Sequence, residues 1–107
     1  MAELKIMAEK PDSRLTVLRL SGEFEGAAVL DSQDELFRLL SESVGSDFMM
    51  DLAEIAYVDS AAIGVLLQMA KIASGKKMRF GLLHANENIK KVLAVTKVNK
   101  ILTTYDS

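Results

Sequence analysis

The stretch from Met49 to Ala73, MMDLAEIAYVDSAAIGVLLQMAKIA, limits the fold more than any other part of the chain. Its strand begins at Phe48, and Phe48, Met49, Met50 and Leu52 fill both alternating sets of positions except for Asp51. That is the pattern of a central strand covered on both faces. A polar turn carrying Asp59 and Ser60 follows, and then an apolar helix of unusual breadth. Ile63, Leu66, Leu67, Ala70 and Ala73 make one stripe, Val65, Met69 and Ile72 an adjacent one, and Gly64, Gln68, Lys71 and Gly75 a narrow polar edge. A helix of this kind is packed between two layers or presents apolar surface to another chain.

The flanking segments extend this unit into a layered sheet. Leu4, Ile6 and Ala8 alternate with Glu3, Lys5 and Met7, as in a strand with one buried face, and Lys10 to Ser13 is a turn signal ahead of a second strand, Leu15 to Leu20. Two such runs joined by a short turn predict an antiparallel hairpin. Apolar residues at 29, 30, 36, 37, 39, 40 and 44 predict a helix from Val29 to Val44, closed by Gly45. After the central unit come a strand at Met78 to Leu83, a helix from Glu87 to Val95 with Asn86 as its N-cap, a basic turn at Lys97 to Lys100, and a short strand at Ile101 to Tyr105. From the first helix onward the order is αβαβαβ, which implies parallel strands joined by crossovers. The expected fold is therefore α/β: one domain over residues 1–107, with a mixed sheet that opens on an antiparallel hairpin and continues in parallel strands.

Composition narrows the function. With 107 residues, half of them hydrophobic and 26% charged, the chain can bury one core. A net charge of −2 lacks the basic excess that a phosphate backbone demands, so no direct nucleic-acid partner is expected. The chain has no cysteine, which removes disulfides, thiolate chemistry and cysteine-ligated zinc, and fits a cytoplasmic location. No apolar run reaches signal-peptide length near the N-terminus or the roughly 18 residues of a membrane span, so no membrane insertion is expected.

Three constellations could carry chemistry. Asp59 and Ser60 stand where a strand hands over to a helix start, where orphan backbone N–H groups favour negative charge. Both residue types are preferred helix caps, and the two roles are compatible: Asp59 caps while Ser60 presents its hydroxyl to solvent. Phosphate on Ser60 would be tolerated by the fold and felt by a docked partner, which describes a release switch. Glu23 and Glu25, two apart in the turn that follows the second strand, could meet a metal, do acid/base work, shape the electrostatics around Ser60, or simply be solvated. His84, the only histidine, follows a strand and could join Ser60 with Asp51 or Asp59 behind it. No Gly-x-Ser-x-Gly elbow accompanies that serine, and the chain has no nucleotide-binding glycine loop. No catalytic set and no metal site are expected.

The Gly22-Glu23-Phe24-Glu25 turn, followed some thirty residues on by DLAEIAYVDSAAIGVLL, resembles the STAS domains, specifically bacterial anti-sigma factor antagonists. The resemblance implies a STAS-type fold without catalysis of its own. It implies that Ser60 is phosphorylated by an anti-sigma factor that is also a serine kinase, with ATP and Mg²⁺ supplied by that partner, and that a serine phosphatase restores it. The dephosphorylated protein would bind the anti-sigma factor and free a sigma factor. The implied docking surface comprises Gly22, Glu23, Phe24, Glu25, Asp59, Ser60, Ala61, Ala62, Ile63 and Gly64, with the His84 to Asn86 loop beside it. Three departures stand out: Ala61 and Ala62 replace a hydroxyl residue and a glycine of the usual pattern, Glu25 replaces the usual aspartate, and the sequence stops at Ser107 where many relatives continue into a last helix. Apolar surface left uncovered there could be closed by a homodimer. The alternative function is a STAS adaptor subunit of a membrane transport or signalling complex, whose serine need not be phosphorylated.

Overall fold

In a computed structural model, which describes residues 3–106, the chain forms a five-stranded sheet and three α-helices. The strands are β1 (Leu4–Asp12), β2 (Leu15–Gly22), β3 (Asp47–Glu54), β4 (Phe80–Leu83) and β5 (Thr103–Tyr105), in spatial order β1-β2-β3-β4-β5. β1 and β2 pair antiparallel, and every later pair is parallel. The hairpin followed by parallel strands is the expected topology, and β3 is its central strand.

The helices are α1 (Gly26–Ser41), α2 (Ser60–Gly75) and α3 (Glu87–Val95). Leu18 and Leu20 of β2, Phe48, Met50 and Leu52 of β3, and Leu82 of β4 share one buried cluster with residues from all three helices. The helices therefore form a single layer on one face of the sheet. α2 lies in its middle, against α1 and β4, with Leu66, Met69 and Ala73 fully enclosed. Its breadth of apolar surface is used mainly inside the domain.

The other face of β3 differs from the expectation of a second covering layer. Met49 and Asp51 are buried, yet neither belongs to the cluster. They are shielded by side chains of neighbouring strands: the Tyr105 ring lies across Gly81 and reaches Met49, in the space a side chain at position 81 would take. An apolar run on both faces of a strand signals burial, but does not distinguish a helix from a tyrosine as the cover.

Several boundaries move. Pro11 lies inside the end of β1, at an irregularity in its pairing, and the reversal falls on Ser13 and Arg14, where the Arg14 N–H donates to Asp12 Oδ1 at 2.7 Å. β1 is an edge strand, where proline is admissible. Ala8 is exposed, and Leu4 alone of the β1 residues is fully buried. α1 starts three residues early and ends at Ser41, so Val44 lies beyond it, exposed, and Leu30 faces solvent. β4 begins at Phe80, and a 3₁₀ turn at Val98–Lys100 leaves β5 only three residues. α3 and its Asn86 cap match expectation.

Candidate docking and modification site

The site is built by two loops that run side by side. Beyond β2, Phe24 pairs in parallel with Val58 of the loop after β3, and both side chains are completely buried. Gly22 makes the first bend possible. Its φ is +95°, and a Cβ there would collide with the Glu3 carbonyl, so only glycine fits.

This pairing brings the starts of α1 and α2 together at Asp59. Its backbone is extended, as an N-cap requires, and Oδ1 accepts from the Ala62 N–H at 3.0 Å. Oδ2 accepts from the Gly26 N–H at 2.8 Å, the first residue of α1. One carboxylate thus holds the first turns of two helices, and the partial positive charge of both N-termini converges on it. Ser60 is the next residue, first in α2 and exposed. Capping and presentation are divided between the two residues as the sequence suggested.

The remaining expected docking residues separate into two groups. Gly22, Glu23, Ser60 and Gly64 are exposed, and Glu25, Asp59 and Ala61 are half-buried. Phe24, Ala62 and Ile63 are buried in the core, so their side chains support the site from beneath and are closed to a partner. The methyl group of Ala62, which replaces a glycine of the usual pattern, fills the interior and does not obstruct docking. Glu25 occupies the N-cap position of α1 without a side-chain capping bond; that work is done by Asp59.

Asn86 anchors a third loop. Its Oδ1 accepts from the Ile89 N–H at 2.8 Å, and its amide donates to the carbonyls of Ile55 and Ala56, tying α3 to the segment that leads into Asp59. Asn86→Ala is expected to destabilise the fold by about 1–2 kcal/mol, the usual cost of a lost cap, measurable as a lower urea midpoint.

His84 does meet Asp51, Nδ1 to Oδ1 at 3.0 Å, but on the sheet face away from the helices. Asp51 also accepts from the Ala53 N–H and lies 3.7 Å from Arg19, which in turn lies 3.3 Å from Glu9. Ser60 does not join this pair, because it stands at the head of α2 in the helical layer. Among the described residues, no group of three His, Asp or Glu side chains is placed to hold a metal ion. The sequence offered Asp51 as a partner of His84, but not Arg19 and Glu9 beside them, although alternation in β2 and β3 puts Arg19 and Asp51 on one face.

Burial pushes the Asp51 carboxyl upward, but the Ala53 N–H, His84 and Arg19 outweigh it and hold the group below its ordinary value. A depressed folded-state pKa stabilises the fold above the ordinary carboxylate range of about 4, and that stabilisation is lost as pH falls through the depressed value. Asp51→Asn is therefore expected to flatten the loss of stability between about pH 5 and pH 2, read from urea midpoints across that range.

A family model described as "Mlab, STAS domain" matches residues 7–104. The chain belongs to the STAS domain family. A STAS-domain containing protein of Pseudomonas aeruginosa is 24% identical over 84% of this chain and 87% of its own. A proposed anti-sigma factor antagonist of Thermotoga maritima is 30% identical over 52% of this chain and 50% of its own. Among solved structures, an anti-sigma factor antagonist from Mycobacterium paratuberculosis superposes with a TM-score of 0.87 at 16% identity, covering 99% of this chain and 88% of that one. The Bacillus cell fate determinant SpoIIAA in its phosphorylated form gives 0.71 at 16% identity, covering 96% and 93%. These likenesses show the STAS fold, a mixed sheet with helices packed on it.

Proposed function

We propose that this STAS domain is an anti-sigma factor antagonist whose binding is switched by phosphorylation of Ser60. The observation that carries the reading is the exposed Ser60 hydroxyl beside two helix N-termini that Asp59 holds together. A phosphoserine adds a charge of about −1.5 to −2. At a helix N-terminus that charge is favourable by about 0.3–1 kcal/mol, so the fold accepts it. A partner docked over Ser60 would have to desolvate the same dianion, a cost of several kcal/mol. The modification therefore releases the partner and leaves the domain folded.

The names borne by its relatives support the same class of partner, and a fold neighbour solved in a phosphorylated form is consistent with the switch. In this reading the partner is an anti-sigma factor with serine kinase activity. ATP and Mg²⁺ belong to that partner, a serine phosphatase reverses the step, and the exchange takes place in the cytoplasm. The domain contributes a surface and a hydroxyl, with no catalysis of its own. The docking face is Gly22, Glu23 and Glu25 together with Asp59, Ser60, Ala61 and Gly64.

Incubation with candidate anti-sigma factor kinases and ATP, followed by phosphopeptide mapping, tests the assignment. Label on Ser60 in the wild type and none in Ser60→Ala is expected. A kinase that binds the domain but labels another residue, or a wild type that no candidate labels, contradicts it.

A further inference from the structure

A furrow between α1 and α2 begins beside Ser60 and follows most of both helices. The helices come after parallel strands and start at one edge of the sheet, where Asp59 ties their first turns together, so they lie side by side. Two adjoining hollows share Gln68 and make one channel, with Leu30, Gln33 and Phe37 on the α1 wall and Gly64, Gln68 and Ile72 on the α2 wall. Ala61, the residue after Ser60, lines its head. Apolar side chains stay open along it: Leu30 is 64% exposed near the head and Ile72 41% at the far end. Between them stands Gly64. Its φ is not positive, and a Cβ there would meet nothing within 4 Å, so nothing inside this domain calls for glycine. Within a helix only proline is less favourable. The bare backbone that results faces the furrow and serves a body outside the chain.

We infer that this furrow receives an amphipathic α-helix of the anti-sigma factor, an extension of the Ser60 docking face that rests on the function proposed above. The walls decide the form of the occupant. The backbone groups of α1 and α2 are engaged within their own helices, so they offer no ladder to an extended segment, and a segment buried there must satisfy its own N–H and C=O groups. A helix does so. From Ala61 to Ile72 the furrow is roughly 17 Å long at 1.5 Å per residue, room for about three helical turns. The incoming helix packs with its ridge in the groove, and Gly64 lets its axis come close. Opposite charges mark the two rims: Asp34, one turn beyond Leu30, edges the α1 side, and Lys71, next to Ile72, edges the α2 side, both exposed. The helix that fits carries an apolar ridge, a basic residue towards Asp34 and an acidic one towards Lys71.

Affinity and Ser60 labelling, measured with an anti-sigma factor kinase, test the furrow apart from the switch. Gly64→Ala is expected to raise the urea midpoint, because alanine is the better helix former, and to weaken binding at least about tenfold, because its methyl group holds the partner helix away. Leu30→Ser and Ile72→Ser, at exposed positions, are expected to weaken binding at least about fivefold each with an unchanged circular dichroism spectrum. Ile72 lies three turns from Ser60, so its effect is separate from the head of α2. Lys71→Glu is expected to slow association at low salt, a difference that added salt erases. Val95→Ser, at an exposed apolar residue of α3, is expected to bind like the wild type. A wild type that is bound and labelled on Ser60, with Gly64→Ala, Leu30→Ser and Ile72→Ser binding equally well, overturns the inference and leaves the proposed function standing. Weakening by Val95→Ser in place of Ile72→Ser moves the contact to α3 and overturns it too. A wild type that no anti-sigma factor binds removes both.

Discussion

Phe24→Ala is expected to cost about 3–5 kcal/mol of folding stability, a large share of the roughly 5–15 kcal/mol available to a domain of this size. Phe24 lies within the turn that the family pattern assigns to docking, yet its side chain is fully enclosed and it pairs with Val58 directly before Asp59. Truncation would leave a cavity under the junction of α1 and α2. The urea midpoint should fall sharply, whereas Glu23→Ala, at an exposed neighbour, should stay within about 0.5 kcal/mol of the wild type. A Phe24→Ala protein of near wild-type stability would mean that the side chain belongs to a partner and not to the core.

Ser60→Asp is expected to weaken binding of the anti-sigma factor by at least about a hundredfold, equivalent to roughly 2.7 kcal/mol, with little change in stability. The new carboxylate sits where two helix N-termini welcome a negative charge, so the free domain loses nothing. The complex must bury it. Calorimetric titration of wild type, Ser60→Ala and Ser60→Asp against one partner gives the contrast, and Ser60→Ala should bind like the wild type. An adaptor subunit that docks without a switch would keep its partner in all three.

The topology was legible in the sequence because each element carried its own period. The alternation of Leu15 to Leu20, the stripes of α2 and the Asn86 cap each point to one local structure, and their order leaves few ways to assemble them. Asp59 and Ser60 were legible for the same local reason. What escaped were relations between distant residues. The bond from Gly26 to Asp59 depends on two loops meeting through Phe24 and Val58, and no local pattern announces it. Phe24 looks like a loop residue between two acids, and only the packed structure shows its ring beneath them. The row from Glu9 to His84 depends on strand register and on the positive φ of His84, neither of which a single sequence displays. Boundary errors at Pro11, Val44 and Met78 share another cause: turn-forming residues mark where a chain can reverse, while tertiary packing decides where it does.

In the proposed function, one phosphate on Ser60 decides whether the domain holds its partner. The affinity of a cognate anti-sigma factor for the domain, prepared with and without phosphoserine at position 60, decides between a switch and a passive surface. The expected result is at least about a hundredfold weaker binding of the phosphorylated form, with both forms equally folded. Equal affinities for the two forms would contradict it.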